Sequence, residues 1–320
     1  MKNKKLLVLG LKYLFLALVL YYVGKFMIGT VGDLKHYDLR VKYNYIVYAY
    51  LVHLLYLMSR AFIWHFITVI NKVNIGLRDA IVIWFISLLG KFIPGKVFYL
   101  GVRVYHYNRM GKSGAAVTFS FFIEYMTGIA ASILLFVLSF SFIPSTAFHA
   151  YRPIGIAVSA VMLIVLHPRI LGPILCGVSK LLKRSMPSVE GLKYSQLIGI
   201  TLLYVLAWGL IGLGFFFVVN SVYPLPLVDY LYVSGAFALA TIIGILSLFA
   251  PSGIGVREGV IIATMTQIIP TAIASIVALI ARIWATSSEL LWIGVAFLIS
   301  LVLKKYEPRI IGHEEDQYGM

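Results

Sequence analysis

Cysteine occurs once in 320 residues, as Cys176, and charged residues make up only 12% of the chain. A lone cysteine excludes an internal disulfide and a multi-cysteine metal or iron–sulfur site. Acidic side chains are scarcer still, with 12 Asp+Glu against 27 Lys+Arg and a formal net charge of +15. Soluble chains carry about 25% charged and about 45–50% apolar residues. Here 61% are apolar and mean hydropathy is +0.94, so too little polar surface exists for a soluble domain. A cytosolic enzyme and a soluble nucleic-acid binder are both excluded, and the positive surplus is expected to face anionic lipid. No Walker loop, no nucleophile motif and no metal-ligand spacing of histidines is present. Neither a cofactor nor a metal is expected, and the chain is not read as an enzyme.

What remains is long apolar sequence, and it is read against a hydrocarbon core that takes about 20 apolar residues to cross. The fold class is an all-α polytopic membrane protein with about six full spans and two re-entrant broken helical hairpins. The full spans are read at Leu6 to Met27, Tyr45 to Ile70, Ala115 to Phe140, Ile154 to Leu166, Leu197 to Val219 and Thr271 to Leu303. The fourth is short for a crossing, and the last is long enough to need a tilt or a break near Ser287. The broken segments are Ala80 to Met110, interrupted at GKFIPGKV, and Leu231 to Ile269, interrupted at APSGIGVREG. Unwound backbone at membrane depth is tolerated only where protein buries it or it lines a wet cavity, so each is expected to double back.

Aligning Pro94 with Pro251 also aligns Phe92 with Phe249, at an offset of 157 residues, and places one isolated charge at a similar point in each half, Glu124 and Arg282. The order of span, broken hairpin and long span thus occurs twice, in a first repeat over 45–141 and a second over 194–303, within a single transmembrane domain of 1–320 whose tail is 304–320. Counting Lys and Arg in the connections puts eighteen of the 27, Arg103 among them, on one side. By the positive-inside bias the chain is a multi-pass protein of the cell membrane with both termini cytoplasmic. The two repeats then run in opposite directions, the arrangement of many transporters. The basic stretch 168–193 reads equally as an interfacial helix or a solvated connector.

A half-helix that starts at a break aims unpaired N–H groups and its positive dipole end into the membrane, where an anion can bind. The expected breaks use Pro94 and Gly95 in the first repeat and Pro251, Ser252, Gly253 and Gly255 in the second. Lys96 and Arg257 lie beside them. Intramembrane charge costs at least about 2.5–3.5 kcal/mol and needs a partner or water. Lys96, Arg257, Arg282 and Arg60 are therefore candidates for a lipid phosphate, with Glu124 and Glu258 as counter-charges. A plain structural pairing of Glu124 with Arg282 or Arg60 is the competing reading. Adjacent helical residues point about 100° apart, so Arg257 and Glu258 are not expected to pair with each other. Glu289, after Ser287 and Ser288, reads as the mark of a helix break, His53 and His65 as packing or interfacial residues, and most of the 21 tyrosines as interfacial belt or helix-packing residues.

APSGIGVREG resembles the PGG-x-G-x-R-E signature of the lysylphosphatidylglycerol synthase/flippase transmembrane region, and GKFIPGKV resembles that family's earlier proline-glycine motif. The resemblance runs from about Ala61 to Leu303, with Glu124 where the family commonly has an acidic residue. Two departures stand out: Ser252 replaces the first glycine, and Tyr125 follows Glu124 where arginine is common. The resemblance implies a flippase-like domain that moves anionic phospholipid or polyprenyl-phosphate lipid between leaflets. The family's soluble aminoacyl-transfer domain is not seen, so synthesis of lysyl lipid is not expected. Two other readings stand beside it: a membrane subunit or relative of a polyprenyl-phosphate glycosyltransferase system, and a non-transporting assembly partner. The partners expected are membrane lipids with anionic headgroups, a cytosolic lipid-modifying enzyme and a second copy of the chain, but no nucleic acid.

Overall fold

A computed structural model describes residues 41–91, 97–141, 152–181, 192–247, 253 and 255–302. The expected first span, the tail, and Pro94, Gly95, Lys96, Pro251 and Ser252 lie outside the described residues. Among the described residues ten α-helices follow one another: α1 (Tyr43–Ile70), α2 (Leu77–Ser87), α3 (Val97–Arg109), α4 (Gly114–Ser141), α5 (Arg152–Val165), α6 (Pro168–Leu181), α7 (Tyr194–Asn220), α8 (Tyr230–Leu246), α9 (Val256–Met265) and α10 (Thr271–Val302). Among the described residues there is no strand.

Five stretches are long and apolar enough to cross a membrane: α1, α4, α7, α10 and Leu227–Ile245, which includes α8. The last was expected to be one limb of a broken segment, and its length alone would let it cross. At about 1.5 Å per residue, the 11 residues of α2, the 13 of α3 and the 10 of α9 fall well short of about 30 Å. The 14-residue α5 is also too short by itself, and Pro153–Val165 bends by 80° into Pro168–Ile174. The stretch 168–181 is therefore helix and not a plain connector. α10 runs unbroken for 32 residues, so of the tilt or break near Ser287 expected from its length, the break does not occur.

At both interruptions the described segments on either side of the break lie against each other. In the first, a 3₁₀ turn at Leu88–Lys91 brings Gly90 against the backbone at the start of α3, so closely that a β-carbon there would lie 2.3 Å from the Tyr99 nitrogen. In the second, Gly253 has φ of 69° and meets Gly244 backbone to backbone, where a β-carbon would lie 2.7 Å from Cα. Only glycine fits either crossing without displacement. α2 accordingly packs on α3, and α8 on α9.

The principal packing pairs have a regular form. α1 lies on α7, α4 on both α7 and α8, and α10 on both α1 and α2; α3 packs on α4, and α9 on α10. Exchanging α1 with α7, α2 with α8, α3 with α9 and α4 with α10 maps this set of contacts onto itself. α1 and α7 run antiparallel: the Lys42 N–H donates to the Ser221 carbonyl at 2.8 Å, Tyr45 meets Phe217, and Tyr56 meets Trp208. The α3–α4 turn lies beside the C-terminal end of α1, where Trp64 donates to Tyr107 and Asn71 to Ser120. The α9–α10 turn lies at the other end, where the Tyr232 hydroxyl donates to the Thr264 carbonyl near the start of α8.

Candidate functional site

Glu124 sits in the middle of α4 and is fully buried. A carboxylate so placed must be compensated, and three helices do so. Arg103 of α3 donates through Nη1 to Glu124 Oε2, while Arg60 of α1 and Trp84 of α2 each donate to Oε1 at 3.3 Å. Arg103 is itself fully buried and locked in place. Its Nε donates to Ser87 Oγ at 3.0 Å, Nη2 donates to the Tyr99 hydroxyl, and the guanidinium lies 4.2 Å from the Trp64 ring and 4.5 Å from that of Tyr99. Arg60 is held more loosely. Its side chain is 25% exposed, Nη1 reaches the Tyr56 hydroxyl at 3.2 Å, and Nε has no hydrogen-bond partner among the described residues.

The expectation that Arg103 is a cytoplasmic connection residue is therefore wrong. It was counted by sequence position between two basic clusters, whereas α3 turns it inward with Tyr99 and Tyr107, all three buried. Tyr99, Arg103 and Tyr107 stand at i, i+4 and i+8, a one-face stripe that the sequence does display. The pairing of Glu124 with Arg282 does not form.

Arg282 instead meets Glu258, with Nη1 3.4 Å from Oε1, and both side chains stay partly exposed. The other oxygen of Glu258 accepts the Gly255 N–H at 2.6 Å, satisfying a donor at the first turn of α9 that would otherwise be orphaned. Gly255 has φ of 82°, so the motif glycine permits this cap. Arg257, next to Glu258, points elsewhere, as expected. Its guanidinium lies 4.6 Å from the Phe237 ring, and among the described residues it has no carboxylate partner.

One cavity of about 220 Å³ lies where the helices of both halves meet. Arg60, Glu124, Arg257, Arg282 and Glu289 all line it. Four of the five residues from the expected set that lie within the described chain thus share one space, and the fifth, Glu258, stands behind Arg282. Lys96 lies outside the described residues. Glu289 is not the marker of a helix break but a wall of the cavity. Tyr56, Tyr99, Tyr125 and Tyr204 also line it, so these tyrosines are not interfacial belt. Tyr204 is 1% exposed and its hydroxyl has no hydrogen-bond partner among the described residues.

Chemically, the space offers guanidiniums, carboxylates and phenols, which is binding chemistry. Comparison with known proteins agrees with a membrane role. The family model for the lysylphosphatidylglycerol synthase TM region matches residues 7–301. No curated protein and no solved structure matches the chain. A match over most of the length, together with the paired interruptions and the helical architecture, assigns the chain to the lysylphosphatidylglycerol synthase TM region family.

Proposed function

We propose that this protein is a lipid translocase, moving an amphiphile with an anionic phosphate headgroup between leaflets while its tails stay in the bilayer. The observation that carries the reading is the shared cavity, into which charged side chains from both halves converge and where Arg257 and the Tyr204 hydroxyl have capacity left for an anion. Such groups are costly in a membrane and are kept where a ligand or water compensates them. Family membership supports a role in lipid handling.

The same reading takes 45–141 and 194–303 as inverted repeats, each with a re-entrant hairpin. Support comes from the exchange of packing partners, from the antiparallel run of α1 and α7, and from the α3–α4 and α9–α10 turns at opposite ends of α1. In inverted-repeat transporters the substrate sits at the repeat interface near the midplane, and a cavity lined by residues of both halves is in keeping with that arrangement.

The test is reconstitution into liposomes with tail-labelled anionic, zwitterionic and polyprenyl-phosphate lipids, scoring movement between leaflets against protein-free vesicles. The wild-type protein should move at least the anionic class, and Arg257→Gln should lose most of that movement while remaining folded. Unimpaired transport by Arg257→Gln would remove the assignment. Absence of transport, together with loss of cellular function when the basic residues at 180–184 are neutralised, would favour the assembly-partner reading.

A further inference from the structure

Among the described residues none of α6 lines the cavity, yet the chain builds a firm corner to place this helix. His167 fills the corner. Its carbonyl accepts the Ile170 and Leu171 N–H groups at 2.8 and 2.9 Å, its Nδ1 accepts the Arg169 N–H at 3.3 Å, and its ring lies 5.0 Å from that of Tyr194. These bonds satisfy donors that the first turn of a helix otherwise leaves orphaned, and Pro168 at the first position has none to satisfy. The Tyr194 hydroxyl closes the corner by donating to the Leu163 carbonyl at 3.0 Å. Tyr194 begins α7, and α7 runs antiparallel to α1, so the corner lies at the end of the molecule where α1 finishes.

α5 packs on the span α4, so a helix turned by 80° from α5 runs close to the plane of the membrane. Its 14 residues cover about 21 Å. The sides of α6 differ. Leu171 is 1% exposed and belongs to the core, while Ile170 and Ile174, one turn apart, are each 39% exposed. Arg169 is exposed as well, and helical geometry sets it about 140° round the axis from Ile174. An exposed apolar pair with a basic residue on another side, on a helix lying flat, is the pattern of an element seated at the boundary of headgroups and acyl chains. The charge around it is mostly of one sign. Lys72, Arg78, Arg109 and Lys193 are exposed at the same end of the molecule, with Asp79 the one carboxylate there among the described residues. In the sequence, the stretch from Arg169 to Lys193 holds five basic residues and one acidic residue.

We infer that α6 docks on the anionic lipid surface of the leaflet at this end, with Ile170 and Ile174 in the acyl boundary and Arg169 at the level of the phosphates. The occupant is a bilayer surface for two reasons. A solvated connector would leave two isoleucines in water beside a membrane that can take them, and the second limb of a broken span would not turn to lie flat. The excess of basic residues then makes an anionic surface the favoured one. This contact is separate from the cavity and holds whatever the cavity carries. Through His167 and Tyr194 it also ties the headgroup plane to the start of α7, the helix that brings Tyr204 and Trp208 to the cavity.

The experiment uses the full chain in a Cys176→Ser background, with an environment-sensitive fluorophore on Ile174→Cys or on Gly172→Cys. Two residues along a helix point about 200° apart, so one probe should face the bilayer and the other water. Each protein is reconstituted into vesicles of phosphatidylcholine and phosphatidylglycerol in equal parts, without any other protein. The probe at 174 should be quenched by lipid spin-labelled on its acyl chain and shielded from aqueous iodide, and the probe at 172 should show the reverse. Spin-labelled phosphatidylglycerol should quench the probe at 174 more strongly than spin-labelled phosphatidylcholine at the same mole fraction. Arg169→Gln should reduce that preference by up to about fivefold, and added salt should reduce it too. Access of iodide to both probes would make α6 a solvated element and overturn the inference. Equal shielding of both would make it a limb of a broken span, with the same result. Alternation of the two probes without any preference for phosphatidylglycerol would overturn the anionic assignment.

Discussion

Two arginines compensate Glu124, and they differ in what their loss should do. Arg103 spends Nε, Nη1 and Nη2 on three different partners and lies against aromatic rings, with no exposure to solvent. Removing one member of such a buried network costs about 3–5 kcal/mol, because the remaining charge stays uncompensated. Arg103→Ala should therefore fall strongly in thermal stability in detergent. Arg103→Lys should recover little, since an ammonium cannot reproduce a planar, stacked fork of donors. The Arg282–Glu258 pair is longer and partly exposed at 24% and 14%, so solvent screening reduces its worth to about 0–1 kcal/mol. Arg282→Gln should leave the melting temperature nearly unchanged while lowering transport of anionic lipid. A large stability loss in Arg282→Gln would place that pair among the structural ties, and a small one in Arg103→Ala would show that Arg60 alone suffices for Glu124.

At the scale of the element, glycines make the close approaches beside both interruptions. Gly253 combines a left-handed φ with backbone contact to Gly244, so Gly253→Ala meets both strain and collision. A left-handed alanine costs about 1–2 kcal/mol before any clash, and the variant should be less stable by at least that amount in a denaturation assay. Gly259, two residues beyond the Arg257 position on α9, is exposed and has open space around its α-carbon. Gly259→Ala should be neutral or stabilising by up to about 1 kcal/mol through helix propensity. The long elements were legible in the sequence because an apolar run of more than twenty residues has few alternatives, and α1, α4, α7 and α10 fall close to where hydropathy placed them. The interruptions were legible too, through their Pro and Gly clusters. What hydropathy could not give was direction of facing. Arg103 entered a tally of connection charges because position along the chain carries no information on which side of a short helix points inward. Tyr56, Tyr99, Tyr125 and Tyr204, which line the cavity, could not be told for the same reason from the many tyrosines expected in the interfacial belt or in helix packing. Pairing was legible in part: Glu124 does meet Arg60, one of its two expected partners, but not Arg282, and Glu124 and Arg282 each have a partner on the short helix preceding them.

For the whole molecule, the arrangement of those partners is itself an argument. In the first half the long helix α4 carries the acid and the short helix α3 the base; in the second the long helix α10 carries the base and the short helix α9 the acid. Both pairs lie at the same place in the order of elements with their signs reversed, as expected if two copies of one plan diverged around a common cavity. The physical consequence concerns sidedness. The α3–α4 turn adjoins the C-terminal end of α1, and the α9–α10 turn adjoins the opposite end, near the start of α8. Because α1 is a 28-residue apolar helix, at about 1.5 Å per residue its two ends are far enough apart to lie on opposite faces of the bilayer. Single cysteines placed at Lys112 and at Gln267, in a Cys176→Ser background, should therefore react from opposite sides with a membrane-impermeant thiol reagent. If the basic connections face the cytoplasm, as the positive-inside bias expects, the reagent added to intact cells should label the cysteine at 267 and reach the one at 112 only after permeabilisation. Labelling of both from the same side would contradict the inverted arrangement, since two hairpins opening to one face could not present their tips to a shared cavity from opposite directions.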